Sequence, residues 1–312
     1  MFKRVVLFVL TNLAILIVLG VVLQVLTAFG VFEAWGYRYG PLLVIAAFFG
    51  FGGSFLSLAL SKRIAKWTTG AKVIERPRSS SEQWLVRKVA ELSRQAGIAT
   101  PEVAIYDAPE PNAFATGATR NRSLVAVSTG LLRRMDRDEV EGVLAHEISH
   151  VANGDMVTLT LIQGVLNTFV IFFARIVGHV VDSFLHGDRD EGGSRGFGLG
   201  YWVTTIAAEI VFGIIATIIV MWFSRRREFR ADAGGATLAG RQRMIAALER
   251  LRAAQEPSHL PDSMAAFGIK GGKRGGLVRL FSSHPPLEDR IAALRAGGRR
   301  RSSRLETGFG EM

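Results

Sequence analysis

Two histidines flank a glutamate in the run His146-Glu147-Ile148-Ser149-His150, and on a helix that spacing has a definite chemical use. Residues four apart project from one side of a helix about one turn from each other, so both imidazoles can close on a single metal ion. Glu147 is rotated by roughly 100° from His146, near enough to reach a water without being a ligand. This is the chemistry of H-E-x-x-H: the rings hold Zn²⁺, the ion lowers the pKa of a water, and the carboxylate takes the proton as that water attacks a peptide carbonyl. The five-residue pattern alone also occurs on helices that bind no metal. Economy favours the metal here. The chain has six histidines, two of them in this motif, and no cysteine, so disulfides and thiolate ligands are excluded.

The elements that must position these groups can be read outward from the motif. Asp138 to His150 begins with acids, as a helix N-terminus favours, and places apolar residues at Val140, Val143, Leu144 and Ile148, which predicts a helix with one buried face. A third ligand has to come from another helix. Glu228 and Asp232 lie four apart on one helical face; Glu228 is expected as the third ligand and Asp232 as the acceptor that fixes the tautomer and orientation of a ligating histidine. The bland alternative is a helix whose acids are neutralised by Arg225, Arg226, Arg227 and Arg230. Asn153 and Asp155, one turn beyond His150, either brace the site or are solvated at a helix bend.

The chain is 49% hydrophobic with a mean hydropathy of +0.26, which points to a membrane protein. Four apolar stretches are long enough to cross a bilayer. They are Val5 to Ala28, Gly40 to Leu60, Val157 to Val181 and Tyr201 to Phe223, and they read as two hairpins. A cleaved signal peptide is the alternative for the first, and buried helices of a soluble core for the last two. Arg175 and Glu209 interrupt the last two at similar depth and are expected to pair. Lys3, Arg4, Lys62, Arg63, Lys66 and Arg225 to Arg230 fall on one side, while the connection near 182–195 is acidic, so both termini and the polar segments are expected in the cytoplasm. The net charge of +11 then belongs to an anionic membrane surface rather than to nucleic acid.

The expected architecture is a mainly α membrane protein of four transmembrane helices with a cytoplasmic α+β domain carrying a small sheet. Its segments are residues 1–62, the first hairpin; 63–156, the first part of the polar domain; 157–223, the second hairpin; 224–296, the second part; and 297–312, a basic unstructured tail. Helices are expected at 81–97, 244–254 and 287–296, strands at 103–106 and 123–128, and a loop over 257–283.

The succession of H-E-x-x-H, a hydrophobic hairpin and E-x-x-x-D resembles the gluzincin-type membrane metallopeptidases, closely the bacterial HtpX proteases, which are related to the CAAX prenyl endopeptidases. The segments 111–117 (Pro-Asn-Ala-Phe-Ala-Thr-Gly), His146 to Asp155, Arg227 to Asp232 and Ser283 to Arg290 look like family motifs in the family's order, and the likeness reaches from the first span to about residue 296. It implies a zincin-like domain with one Zn²⁺, and an edge strand at Asn112, Ala113 and Phe114 that receives substrate; an Asn turn between strands is the bare alternative. It also implies that His284 donates to the developing oxyanion, with Arg290 supporting it. His179, His186 and His259 match no motif. The activity implied is an endopeptidase of the bacterial inner membrane, acting in quality control and stress response on unfolded or membrane proteins at the cytoplasmic face. No G-x-x-x-x-G-K-[ST] run is present, so no ATP is expected. A prenyl-protein processing protease and a non-catalytic membrane scaffold are the competing readings.

Overall fold

The computed structural model describes residues 39–186, 199–255 and 284–306. The expected first span, the glycine-rich connection between the last two spans and the 257–283 stretch lie outside those residues. Along the chain come α1 (Tyr39–Thr69), β1 (Lys72–Val73), α2 (Ser80–Gln95), β2 (Glu102–Tyr106), β3 (Ala113–Thr119) and β4 (Arg122–Ser128). They are followed by α3 (Thr129–Arg134), α4 (Arg137–Asn153), α5 (Asp155–His186), α6 (Leu199–Leu238), α7 (Arg241–Gln255) and α8 (Leu287–Glu306). The described residues fall into two compact units, one including those up to Ser57 and from Leu159 to Val220, the other those from Leu58 to Thr158 and from Met221 on.

Three helices among the described residues are long and apolar enough to cross a membrane: Leu42–Thr69, Asp155–Phe184 and Leu199–Leu238. On α1 and α6 many large apolar side chains face outward. Val44 is 68% exposed, Phe48 70% and Ile210 59%, an arrangement that water would penalise and lipid would not. A buried soluble core is therefore the wrong reading of the 201–223 stretch. Inside the first unit Gly50 admits close helix contact, since a Cβ there would lie 2.7 Å from the Thr168 backbone nitrogen. Arg175 Nη1 meets Glu209 Oε1 at 3.1 Å, the pairing expected from their depths. α5 and α6 run beyond the expected spans 157–181 and 201–223. No glycine or proline interrupts the chain between Phe223 and Glu228, and Arg and Glu are good helix formers, so α6 carries straight on.

The second unit is built on a four-stranded sheet in the order β1-β2-β4-β3, with β2 and β4 parallel and the outer pairings antiparallel. Alternation disclosed β2 and β4. It could not disclose the two-residue β1, and β3 reads Ala-Phe-Ala-Thr-Gly-Ala-Thr, too small and mixed to show a face. Capping boxes start α2 (Ser79 with Glu82) and α4 (Asp136 with Glu139). Leu85, Val89 and Leu92 of α2, Val125 and Val127 of β4, and Val143, Leu144 and Ile148 of α4 form the core. α4 departs from the single buried face expected of it. With α2, α7 and β3 packed around it, Gly142 to His146, Ile148, Ser149 and Val151 are all buried. α8 continues through Arg299–Arg304 to Glu306, where an unstructured tail was expected; its Ala, Leu and Arg residues favour the helix.

Reversing either partner of the Arg175–Glu209 pair, by Arg175→Glu or Glu209→Arg, should destabilise the detergent-solubilised protein by on the order of 1 kcal/mol. The double reversal should recover most of the loss in thermal melts; no recovery would mean the two charges do not act on each other.

Candidate metal centre

His146 and His150 project from α4, and Glu228 comes from the part of α6 that follows its apolar run. Each offers one ligand atom, and the three atoms lie within 4.8 Å of one another. Two glycines permit this meeting. A Cβ on Gly234 would stand 2.7 Å from Ser149 Oγ, and one on Gly235 3.1 Å from the His146 backbone nitrogen, so α6 approaches α4 more closely than a larger residue would allow.

Each imidazole has given Nδ1 to a carboxylate. His146 Nδ1 lies 2.9 Å from Asp232 Oδ1, and His150 Nδ1 lies 2.7 Å from Asp155 Oδ2. Donation from Nδ1 leaves the Nε2 lone pairs, and these face each other at 3.1 Å with the rings at 88°. Two lone pairs so placed repel unless a cation sits with them. Glu228 completes the set, Oε1 3.3 Å from His150 Nε2 and Oε2 3.5 Å from His146 Nε2. Oε2 is buried and makes no hydrogen bond of good geometry, as suits an atom intended for a metal. The donor set, two imidazole nitrogens and a buried carboxylate, fits a cation with nitrogen and oxygen preference.

The electrostatics agree. Burial opposes charge on His150, but Asp155 and Glu228 outweigh it and raise its pKa from 6.5 to about 10 in the metal-free protein. His146 is raised likewise, burial being overcome by Asp232 and Glu228. Burial would lift Glu228, yet its contacts with His146, His150 and His284 hold it well below the usual carboxylate range. A cation is wanted here, and protons serve when no metal does.

The other expected residues fall at or near this point. Glu147 is half-buried, and its charge acts on His150 and Arg290. His284 is largely exposed, with Nδ1 2.8 Å from Glu228 Oε2. Arg290 was expected in a supporting role. It is buried and forks onto Asp232, Nε to Oδ2 at 2.8 Å and Nη2 to Oδ1 at 2.6 Å, with Nη1 3.3 Å from Glu228. Its donors are taken up by the carboxylates of Asp232 and Glu228. Asn112 precedes the edge strand β3, its carbonyl accepting from Ser128 N–H at 2.9 Å; Ala113 and Phe114 open the strand, which packs against α4. The Phe114 ring lies 5.6 Å from that of Tyr106. Sequence reasoning left Asp155 undecided and missed Gly234 and Gly235, whose close approach has no local signature.

Residues 79–297 match the family described as Peptidase family M48. The chain is 63% identical over 300 residues to Protease HtpX of Alkalilimnicola ehrlichii, covering 95% of this chain and 98% of the relative. To Protease HtpX of Thioalkalivibrio sulfidiphilus it is 60% identical over 296 residues, covering 94% and 99%. Among solved structures, that of S. mikatae Ste24p is similar with a TM-score of 0.57 at 18% identity, over 88% of this chain and 66% of that one, a likeness of fold.

The His150 pKa carries a pH dependence. Below about pH 6.5 the ring is charged in both folded and unfolded chains, and its pairing with Asp155 and Glu228 stabilises the metal-free protein in full. As the pH rises from 6.5 towards 10 the unfolded chain gives up the proton first, so this stability is progressively lost. Thermal melts of chelator-treated protein should therefore show a falling melting temperature across that window, and zinc-loaded protein a smaller fall. A flat chelated profile would contradict the charged pairing.

Proposed function

As a member of peptidase family M48 this chain is a membrane metalloprotease, and we propose that it is a zinc endopeptidase of the bacterial inner membrane working at the cytoplasmic face. Its substrates on this reading are unfolded or membrane proteins, cleaved without ATP in a quality-control and stress-response role. The observation that carries the reading is the convergence of one ligand atom each from His146, His150 and Glu228 within 4.8 Å.

His146, His150 and Glu228 would hold the ion, and two imidazoles with one carboxylate and no thiolate are a donor set zinc accepts in hydrolases. When bound, zinc supplies Lewis acidity, polarising the scissile carbonyl and making a water acidic enough to attack at neutral pH. Glu147 takes the proton of the attacking water and returns it to the departing amine. Asp232 holds His146 in one tautomer, and Arg290 keeps Asp232 charged and fixed. His284, exposed beside Glu228, is placed to donate to the oxyanion that develops on the carbonyl. The outer edge of β3, unpaired among the described residues, offers backbone groups to an extended substrate, with Asn112, Ala113 and Phe114 at its start. Orientation rests on charge: Lys62, Arg63 and Lys66 end α1, and Arg225, Arg226, Arg227 and Arg230 follow the apolar part of α6, which the positive-inside rule puts in the cytoplasm.

Wild type and Glu147→Gln, purified in detergent with zinc retained, should differ in casein cleavage by about 10²- to 10⁴-fold at equal metal content. Equal cleavage would remove Glu147 from its role, and metal bound without any cleavage would favour a scaffold. Glu228→Ala should lose metal nearly as completely as His146→Ala. Because the chain has no native cysteine, orientation can be read from single introduced ones. In whole cells, Gly193→Cys should react with an impermeant thiol reagent and Thr68→Cys should not; the reverse labelling would invert the topology.

A further inference from the structure

Asp155 is the first residue of α5 and follows Gly154, whose left-handed conformation (φ 66°) ends α4. The N–H of Gly154 bonds to Val151 O at 3.0 Å, and Thr158 N–H returns to Gly154 O at 3.1 Å, so the corner is tied on both sides. That corner turns the Asp155 carboxylate, 5% exposed, back onto the His150 ring. An acid in the first turn of a helix is ordinarily explained by the helix dipole. Here the carboxylate is engaged elsewhere. One oxygen takes His150 Nδ1, and the other faces Arg227 Nη1 at 3.9 Å, while the same Nη1 donates to the Asp155 backbone carbonyl.

Arg227 immediately precedes the expected ligand Glu228 on α6. It is half-buried, and its Nε finds no hydrogen-bond partner among the described residues, a cost that the Asp155 contacts offset. The pattern repeats what stands behind the other histidine. His146 leans on Asp232 and Asp232 on Arg290; His150 leans on Asp155 and Asp155 on Arg227. Sequence reasoning anticipated the Asp232 half alone.

We propose that Asp155 and Arg227 are positioning residues for the metal: Asp155 fixes the tautomer and aim of His150, and Arg227, by holding Asp155, couples that aim to the helix that supplies Glu228. The inference rests on His146, His150 and Glu228 being the zinc ligands.

The test is zinc release to a colorimetric chelator from the full-length protein in detergent, for wild type, Asp155→Asn, Arg227→Gln and the double variant. Asp155→Asn should release zinc about 10- to 100-fold faster. Arg227→Gln should do so by a smaller factor, and the double variant no faster than Asp155→Asn, because Arg227 acts through Asp155. Glu141→Gln removes another buried charge of α4, one paired with Lys88 and Arg243, and should lower the melting temperature while leaving release unchanged. Release from Asp155→Asn at the wild-type rate would overturn the proposal, and multiplying factors in the double variant would overturn the coupling. If Asp155→Asn does not fold, Arg227→Gln alone decides, faster release supporting and the wild-type rate overturning. Wild-type protein that takes up no zinc, with His146→Ala no different, would instead defeat the ligand assignment itself and this inference with it.

Discussion

The Nε2 atoms of His146 and His150 stand 3.1 Å apart, with both Nδ1 atoms already committed to carboxylates and a buried Glu228 oxygen beside them. Left without a cation this arrangement sets lone pair against lone pair in a poorly solvated place, which a protein does not maintain without return. Much of the second unit can be understood as the means of holding it. α4 is buried on most of its surface, and its two rings are held by carboxylates. Gly234 and Gly235 remove the side chains that would keep α6 away. Asp232 and Asp155 supply the opposite charge, and Arg290 and Arg227 keep those carboxylates in place.

The same helices join this site to the membrane. α5 starts at Asp155, which touches His150, and α6 carries Glu228 and Asp232 after its apolar run, so the polypeptide that crosses the lipid is continuous with the polypeptide that would bind the metal. The exposed apolar faces of α1 and α6 and the arginines after Phe223 mark where lipid ends and water begins.

How much of this was legible in the residues follows from the range of each interaction. The α4 helix could be read because its determinants are local: acids at the start, apolar residues at helical spacing and the His-Glu-x-x-His run itself. Glu228 and Asp232 were legible for the same reason, four apart on one face. β3 was not legible by pattern, since its face depends on neighbours and its own residues are small. The partnership of Arg290 with Asp232, and of Asp155 with His150, depends on how distant segments or a glycine corner bring charges together, and no spacing rule records that. Arg290 was expected in a supporting role beside His284, and no spacing could name the Asp232 carboxylate onto which it forks.

X-ray absorption at the zinc edge of the purified protein tests the central claim most directly. Two imidazole nitrogens at about 2.0–2.1 Å together with carboxylate or water oxygen, lost in Glu228→Ala protein through loss of the metal, is the result this account requires. A spectrum with one imidazole or none, or a Glu228→Ala protein that keeps the wild-type zinc environment, would contradict it.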